Sequence, residues 1–357
     1  MTGAGRPDAP AEELAADEVS LRRRLINVRT IGSLIFGVLL LVLVTRVVFG
    51  GDFDWGEVAR RIGEANFGFL ALAFVAYYAT FPLRGFRWRY VLARSGLPMR
   101  FRDATEILFL SWFVNCLVPA KLGDVYRAYL ARANFGASIS RTVGTVFVER
   151  VADLIVIAGL ALAAGFWSFR GRSRPELDAI FLTGMVISAA LLLLLVTMRV
   201  MGARIEARLP ARVGGLWAKF QEGSTDALTR RSVPVILLLT GSIWLLEGAR
   251  LYFVIRALEM PEVGLGISAS VFVALAAALL TAVPFTPAGV GIVELGMIGV
   301  LGLYGVTGEP AAAVALVDRT LTIVTVIVFG GILYAVSRKV RRAHGPASTP
   351  RGELPPA

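Results

Sequence analysis

Four short stretches of this chain carry charges that apolar surroundings make costly. "VERVADLIV" at Val148–Val156 sets Glu149, Arg150 and Asp153 inside an apolar run, and "VDRTLTIVT" at Val317–Thr325 sets Asp318 and Arg319 inside another. "LEGAR" at Leu246–Arg250 adds Glu247 and Arg250. "PAKLGDVYR" at Pro119–Arg127 adds Lys121, Asp124 and Arg127 directly after the apolar run Ile107–Cys116. An ionised side chain at the centre of a bilayer costs at least about 2.5–3.5 kcal/mol, and it marks a pathway or a pair. Arginine offers a planar fork that grips phosphate or carboxylate through two parallel bonds. The chemistry within reach is recognition of an anion such as a phosphate.

On this reading Arg127, Arg150 and Arg319 are headgroup candidates, with Lys121 and Asn115 beside them. Asp124, Glu149, Asp153, Glu247, Glu294, Asp318 and Arg250 are counter-ions or proton-coupling groups. Glu149 and Asp153 are four apart and share a helical face, whereas Arg150 points about 100° away and must reach another element. Glu247 and Arg250, three apart, can pair along one face. Asp124 and Glu294 follow the turns at Gly123 and Gly291, where a carboxylate either caps a helix or meets substrate. A structural reading stands beside the functional one: the same charges lock helix crossings as buried pairs, with Asp124–Arg127 pinning its hairpin. Asn115 likewise bonds either a free carbonyl at the hairpin tip or a ligand.

The elements that must position these residues are apolar spans. The 357 residues are 56% hydrophobic, with a mean hydropathy of +0.69, well above the 45–50% apolar content typical of soluble domains. Segments near 31–49, 67–83, 104–118, 142–168, 179–198, 234–255, 266–283, 289–306 and 311–336 predict an all-α polytopic membrane protein. Residues 1–29 read as a disordered cytoplasmic N-terminus, 30–340 as one transmembrane domain, and 341–357 as a disordered cytoplasmic tail. Within the domain, a first repeat covers about 66–200 and a second about 232–338.

The net charge of +11 comes almost wholly from arginine, since Lys121, Lys219 and Lys339 are the only lysines. The arginines gather in short loops, which is an orientation signal and argues against nucleic acid as a partner. Arg84–Asp103 holds six arginines against one acid, Arg199–Arg231 seven basic residues against three acids, and Arg338–Arg342 four basic residues. All three are expected on the cytoplasmic side of the plasma membrane, with Arg84, Arg87, Trp88 and Arg89 as a basic-aromatic collar and part of Arg199–Arg231 lying along the surface. One cysteine, Cys116, excludes an intrachain disulfide, and one histidine, His344, argues against a zinc or haem site. No cofactor is expected.

Loop parity then fails if 104–118 crosses fully. Fifteen helical residues reach only about 22 Å, so the segment is expected to enter, turn at Pro119–Gly123 and return as a re-entrant hairpin. Non-helical backbone at that depth must be buried in protein or line a wet cavity. The chain also matches itself. "PAKLG" at Pro119–Gly123 recurs as "PAGVG" at Pro287–Gly291, offset by 168 residues, and "VERVADLIV" recurs as "VDRTLTIVT" at 169. "LRGFR" at Leu83–Arg87 recurs as "LEGAR" at an offset of 163. The two copies are expected to run in opposite directions through the bilayer, as in carriers built from inverted repeats. By symmetry 266–283 and 289–306 form a second hairpin at Pro284–Gly291, although two full crossings give the same parity. Pro119, Gly123, Pro287, Gly289 and Gly291 are the hinge candidates.

The ordered set "P-x-x-x-G-D-x-x-R" at Pro119–Arg127, "E-R-x-x-D" at Glu149–Asp153, "P-x-G-x-G-x-x-E" at Pro287–Glu294 and "D-R" at Asp318–Arg319 resembles the lysylphosphatidylglycerol synthase transmembrane family over roughly residues 30–340. The bifunctional synthases of that family carry a soluble aminoacyl-transferase domain after the membrane part. This chain stops about twenty residues past its last span, so lipid aminoacylation is not carried over. What the resemblance implies is the flippase-like half, which moves a charged lipid between leaflets. The expected partner is a phospholipid or polyprenyl-phosphate-type lipid, together with further copies of the chain or a separately encoded lipid-modifying enzyme. Two alternatives remain open: a membrane transferase acting on a lipid phosphate, and a scaffold subunit without catalysis.

Overall fold

A computed structural model of the chain describes residues 53–118, 121–169, 204–225, 227–259, 265–280 and 286–344, with scattered positions between 182 and 202. The expected first span at 31–49, most of 179–198, the hinge residue Pro119 and both termini lie outside the described residues.

Among the described residues the protein is all-α. A short amphipathic helix, α1 (Trp55–Gly63), is capped by Asp54, whose carboxylate accepts from the Gly56 amide at 2.7 Å. Asn66 caps α2 (Phe67–Arg94) in the same way, accepting from the Gly68 amide at 3.0 Å. Then follow α3 (Phe101–Leu117), α4 (Leu122–Phe135) and the 30-residue α5 (Ile139–Ser168), which Ser138 caps. Next come α6 (Ala211–Ser224), α7 (Ser232–Ala257), α8 (Ile267–Leu280) and α9 (Ile292–Gly302). The chain ends in α10 (Gly308–Arg319), a π-helical turn at Thr320–Val324, α11 (Thr325–Val336) and α12 (Arg338–His344). The sequence order of long helix, two shorter helices joined at a Pro/Gly turn, and long helix therefore occurs twice.

Among the described residues, three helices are long and apolar enough to cross a bilayer: Phe67–Arg94, Ser232–Ala257 and the continuous Gly308–Val336. Val75, Leu238, Val328 and Ile332 on these helices face outward, as expected where hydrocarbon replaces water around the fold. The protein is an integral membrane protein. The two largest of four apolar clusters among the described residues both involve α2. In one, Ala73 and Leu70 of α2 pack with Val254, Val273, Met297 and Val314. In the other, Phe81, Trp88 and Leu92 of α2 pack with Leu110, Tyr126 and Val326. Helix α2 belongs to both and packs along α7, so α2 and α7 form the central pair.

One expectation is corrected here. Residues 84–94 are not loop: α2 continues through Arg94, because Arg84 and Arg87 find buried carboxylate partners and can stay in the helix. The stretch around 211–224 has a packing partner. It is a helix packed on α5, close enough that a side chain at Gly144 would meet the Ser224 amide at 3.0 Å.

The hairpin turn is visible on its flanks. Val118 is extended and Lys121 takes the left-handed conformation at φ 53°, after which α4 folds back on α3. Gly123 permits this, since a Cβ there would fall 2.6 Å from Asn115 Oδ1 and into the Ser111 carbonyl. At the matching place Ala288, Gly289 and Gly291 have φ of 50°, 73° and 90°, and α8 packs against α9.

Candidate functional site

Among the described residues, six arginines and six carboxylates meet inside the helix assembly, and every one is paired. The pairs follow the sequence repeat. Arg84 and Glu247, 163 residues apart, bond to each other, Nη2 to Oε1 at 2.7 Å. Arg87 donates to Glu149 at 3.2 Å, and Arg250, at the matching position, is paired with Asp318, the match of Glu149. Arg150 grips Asp124 with two bonds, Nε to Oδ2 at 3.0 Å and Nη2 to Oδ1 at 2.9 Å. Its match Arg319 donates to Glu294 Oε1 at 2.9 Å and to the Ala288 carbonyl. Asp124 and Glu294 are each the third residue of a helix that opens just after a Pro/Gly turn.

The twelve groups divide by what surrounds them. Arg87, Arg127, Glu149 and Asp153 form a closed cluster: Arg127 Nη1 donates to Glu149 at 2.8 Å, and Arg87 Nη1 donates to Asp153 at 2.6 Å and to Thr240 Oγ1 at 2.8 Å. The Arg127 guanidinium lies over the Trp88 ring at 4.8 Å, and Trp244 Nε1 donates to Asp153 at 3.1 Å. Taking such ions out of water costs several kcal/mol each, and only complete pairing offsets it. This cluster is a clamp between α2, α4, α5 and α7. The structure therefore places Arg127, Glu149 and Asp153 away from the cavity described next, and the Asp124–Arg127 contact, at 3.7 Å, is secondary to Arg127–Glu149.

Of the other eight, Arg84, Arg150, Glu247, Arg250, Asp318 and Arg319 border a cavity of about 160 Å³ lined by both halves of the sequence, and Asp124 and Glu294 hold Arg150 and Arg319 from behind its lining. Arg150, Lys121 and Asn115 line it from one side, and Arg319, Asp318, Gly289 and Thr286 from the other. The bonded pair Arg84–Glu247 and its neighbour Arg250 form part of its wall. Arg84 is stacked between Trp112 at 4.6 Å and Trp244 at 5.5 Å, and Glu247 also accepts from Arg250 Nε at 3.2 Å. Arg150 is the most open of the paired arginines, its side chain 31% exposed against 3% for Arg127.

Asn115, Glu294 and Lys121 each have a definite place. Asn115 lines the cavity, and its Oδ1 accepts from the Gly123 amide at 2.8 Å, so it holds an N–H at the hairpin turn where a carbonyl partner was expected. Glu294 caps its helix, accepting from the Gly291 amide at 2.6 Å, and holds Arg319 as well. Lys121 lines the cavity, and its ammonium makes no hydrogen bond or close ion pair among the described residues. The residues the sequence reading missed are Arg84 and Arg87, which it assigned to a surface collar. They are 2% and 3% exposed. The signal was present, because the repeat aligns them with Glu247 and Arg250, both inside an expected span.

Wall and support meet at the π-helical turn. Tyr77 donates to the Thr322 carbonyl at 3.1 Å, and the Tyr78 and Thr325 hydroxyls bond at 2.8 Å. Thr322 lines the cavity. Such π-bulges occur frequently at functional sites.

An all-α bilayer-embedded chain with a ring of charge around an interior cavity defines the class. The chain belongs to the family described as the lysylphosphatidylglycerol synthase TM region, which matches residues 30–330. It is similar to a UPF0104 membrane protein of Methanocaldococcus jannaschii, 34% identical over 229 residues that make up 64% of this chain and 96% of that one. A UPF0104 membrane protein of Methanothermobacter thermautotrophicus is 26% identical over 318 residues, 83% of this chain and 91% of the relative. Glycosyltransferase AglD of Haloferax volcanii is 34% identical over 145 residues, which are 40% of this chain and only 22% of that protein.

Proposed function

We propose that this protein is a lipid translocase, which moves a phosphate-bearing or otherwise charged lipid between leaflets of the plasma membrane. The headgroup passes through the cavity while the hydrocarbon chains stay in the bilayer. The observation that carries this reading is the pairing of Arg150 with Asp124 and of Arg319 with Glu294 on opposite sides of one cavity. Each forked cation sits beside a broken helix pair, the arrangement by which carriers built from inverted repeats hold charged substrates near the midplane. In this reading residues 66–200 and 232–338 are the inverted repeats, each with a re-entrant hairpin, and both termini are cytoplasmic. Arg150, Arg319 and Lys121 meet the headgroup. Asp124, Glu294, Glu247 and Asp318 hold the cations in place between substrates.

The test is transfer of a fluorescent anionic or polyprenyl-phosphate lipid between leaflets of liposomes that contain the purified chain. Arg150→Ala or Arg319→Ala should abolish transfer in protein that still unfolds cooperatively. Unchanged transfer in both variants would sink the proposal. The similarity to part of a glycosyltransferase favours a second reading, a membrane transferase or its scaffold. Product formed from a sugar donor, with no transfer between leaflets, would select it.

A further inference from the structure

Among the described residues the six arginines and six carboxylates of the buried network cancel in number, which leaves Lys121 as the cavity-lining cation whose ammonium has no hydrogen bond and no close ion pair. Its conformation is unusual as well. Lys121 sits at φ 53° where the matching stretch has Gly289 at φ 73°, a region glycine enters freely and a residue with a Cβ does not. A lysine kept at a glycine position, unpaired, on a cavity wall, points to a ligand. Across the cavity Thr286 is 3% exposed, and its Oγ1 has no hydrogen-bond partner among the described residues.

We infer that the cavity holds one singly charged phosphodiester, with the Lys121 ammonium as its counter-charge and the Thr286 hydroxyl as a hydrogen-bond partner. This rests on the reading of the cavity as the headgroup site. One excess positive charge matches a phosphodiester, which carries one negative charge. A phosphomonoester carries close to two near neutral pH, because its second pKa is about 6. Its second charge would remain unanswered, because the six arginines are balanced in number by the six carboxylates whichever group each one meets, and an unpaired charge out of water is strongly disfavoured. A neutral headgroup would leave Lys121 as it is.

The experiment measures binding to the full chain in uncharged detergent, by calorimetry and by the shift in unfolding midpoint. The probes are phosphatidylmethanol, phosphatidic acid and diacylglycerol with identical chains, and inorganic phosphate. Phosphatidylmethanol and phosphatidic acid differ by one methyl group, which sets the charge. The diester should bind at least about tenfold tighter than the other three, the scale of one charge-assisted hydrogen bond. Lys121→Gly should reduce diester binding to the diacylglycerol level without lowering the ligand-free midpoint, since glycine suits that backbone. Thr286→Val should weaken it several-fold. Tighter binding of phosphatidic acid, or undiminished diester binding in Lys121→Gly, overturns the inference. Inorganic phosphate binding as well as the diester also overturns it, by making the site one for free anions. Transfer assays on the same preparations separate the two readings. Diester-selective binding without transfer removes the translocase and keeps this inference; transfer without headgroup preference does the reverse.

Discussion

Arg84 and Glu247 occupy corresponding places in two matching sequence stretches 163 residues apart, and they are bonded to each other at 2.7 Å. In the inverted-repeat reading proposed above, such a pair lies on the axis between the two halves. The same sequence offsets set Arg87–Glu149 against Arg250–Asp318 and Arg150 against Arg319, whose partners Asp124 and Glu294 each stand third in a helix.

Because both groups of the axial pair are buried, with side chains 3% and 9% exposed, removing one partner strands the other. Glu247→Leu should cost about 3–5 kcal/mol, read from unfolding in detergent. Arg84→Met combined with Glu247→Leu should recover most of it, and simple additivity of the two single changes would refute the pairing.

Gly85 and Gly248 are also matched, and each lets a neighbouring helix approach. A Cβ on Gly85 would lie 2.9 Å from Thr105 Cα, and one on Gly248 would lie 3.1 Å from Val271 Cα, while Gly241 has nothing within 4 Å. Valine at 85 or 248 should cost about 1–3 kcal/mol and valine at 241 much less. Equal effects at all three would remove the close-approach argument.

Arg150 holds Asp124 through two nitrogens, a grip lysine cannot copy. Arg150→Lys should therefore lower lipid transfer at least about tenfold, the loss of roughly 1.4 kcal/mol, with a normal unfolding transition. Full activity in the lysine variant would mean that charge alone is enough.

At the C-terminal end, Lys339 joins Asp103 at 2.8 Å and Glu106 at 2.5 Å, docking α12 near the start of α3. Burial lowers the ammonium's pKa, and the hydrogen bonds to the two carboxylates outweigh that, so the group sits above its ordinary value of 10.5. A raised folded-state value contributes stability in full below pH 10.5 and loses it as pH climbs through the folded value. Amide exchange in 338–344 should stay slow at neutral pH and quicken above that point. In Lys339→Met it should already be fast at pH 7.

Much of this architecture was legible in the chain. Repeated blocks fixed which charges correspond, the 100° offset of Arg150 sent it across to Asp124, and the spacing of Glu247 and Arg250 gave their 3.2 Å contact. Hydropathy misplaced Arg84 and Arg87, because a window along the chain sees charge and cannot see a carboxylate 163 or 62 residues away. The division between closed clamp and cavity wall was illegible for the same reason. Arg127 and Arg150 look alike in sequence, and only the Trp88 ring and the Glu149 partner close one of them off.

The cancellation of six cations by six anions has an electrical consequence. A fixed charge that traverses the whole membrane field exchanges about 2.3 kcal/mol per 100 mV with it, whereas a balanced array exchanges nothing. On the proposed reading, with Lys121 answered by a single negative headgroup, the described charges around the loaded cavity sum to zero, and voltage acts on the empty form alone. An imposed potassium diffusion potential should then leave the loaded step of lipid transfer unchanged and alter only the return.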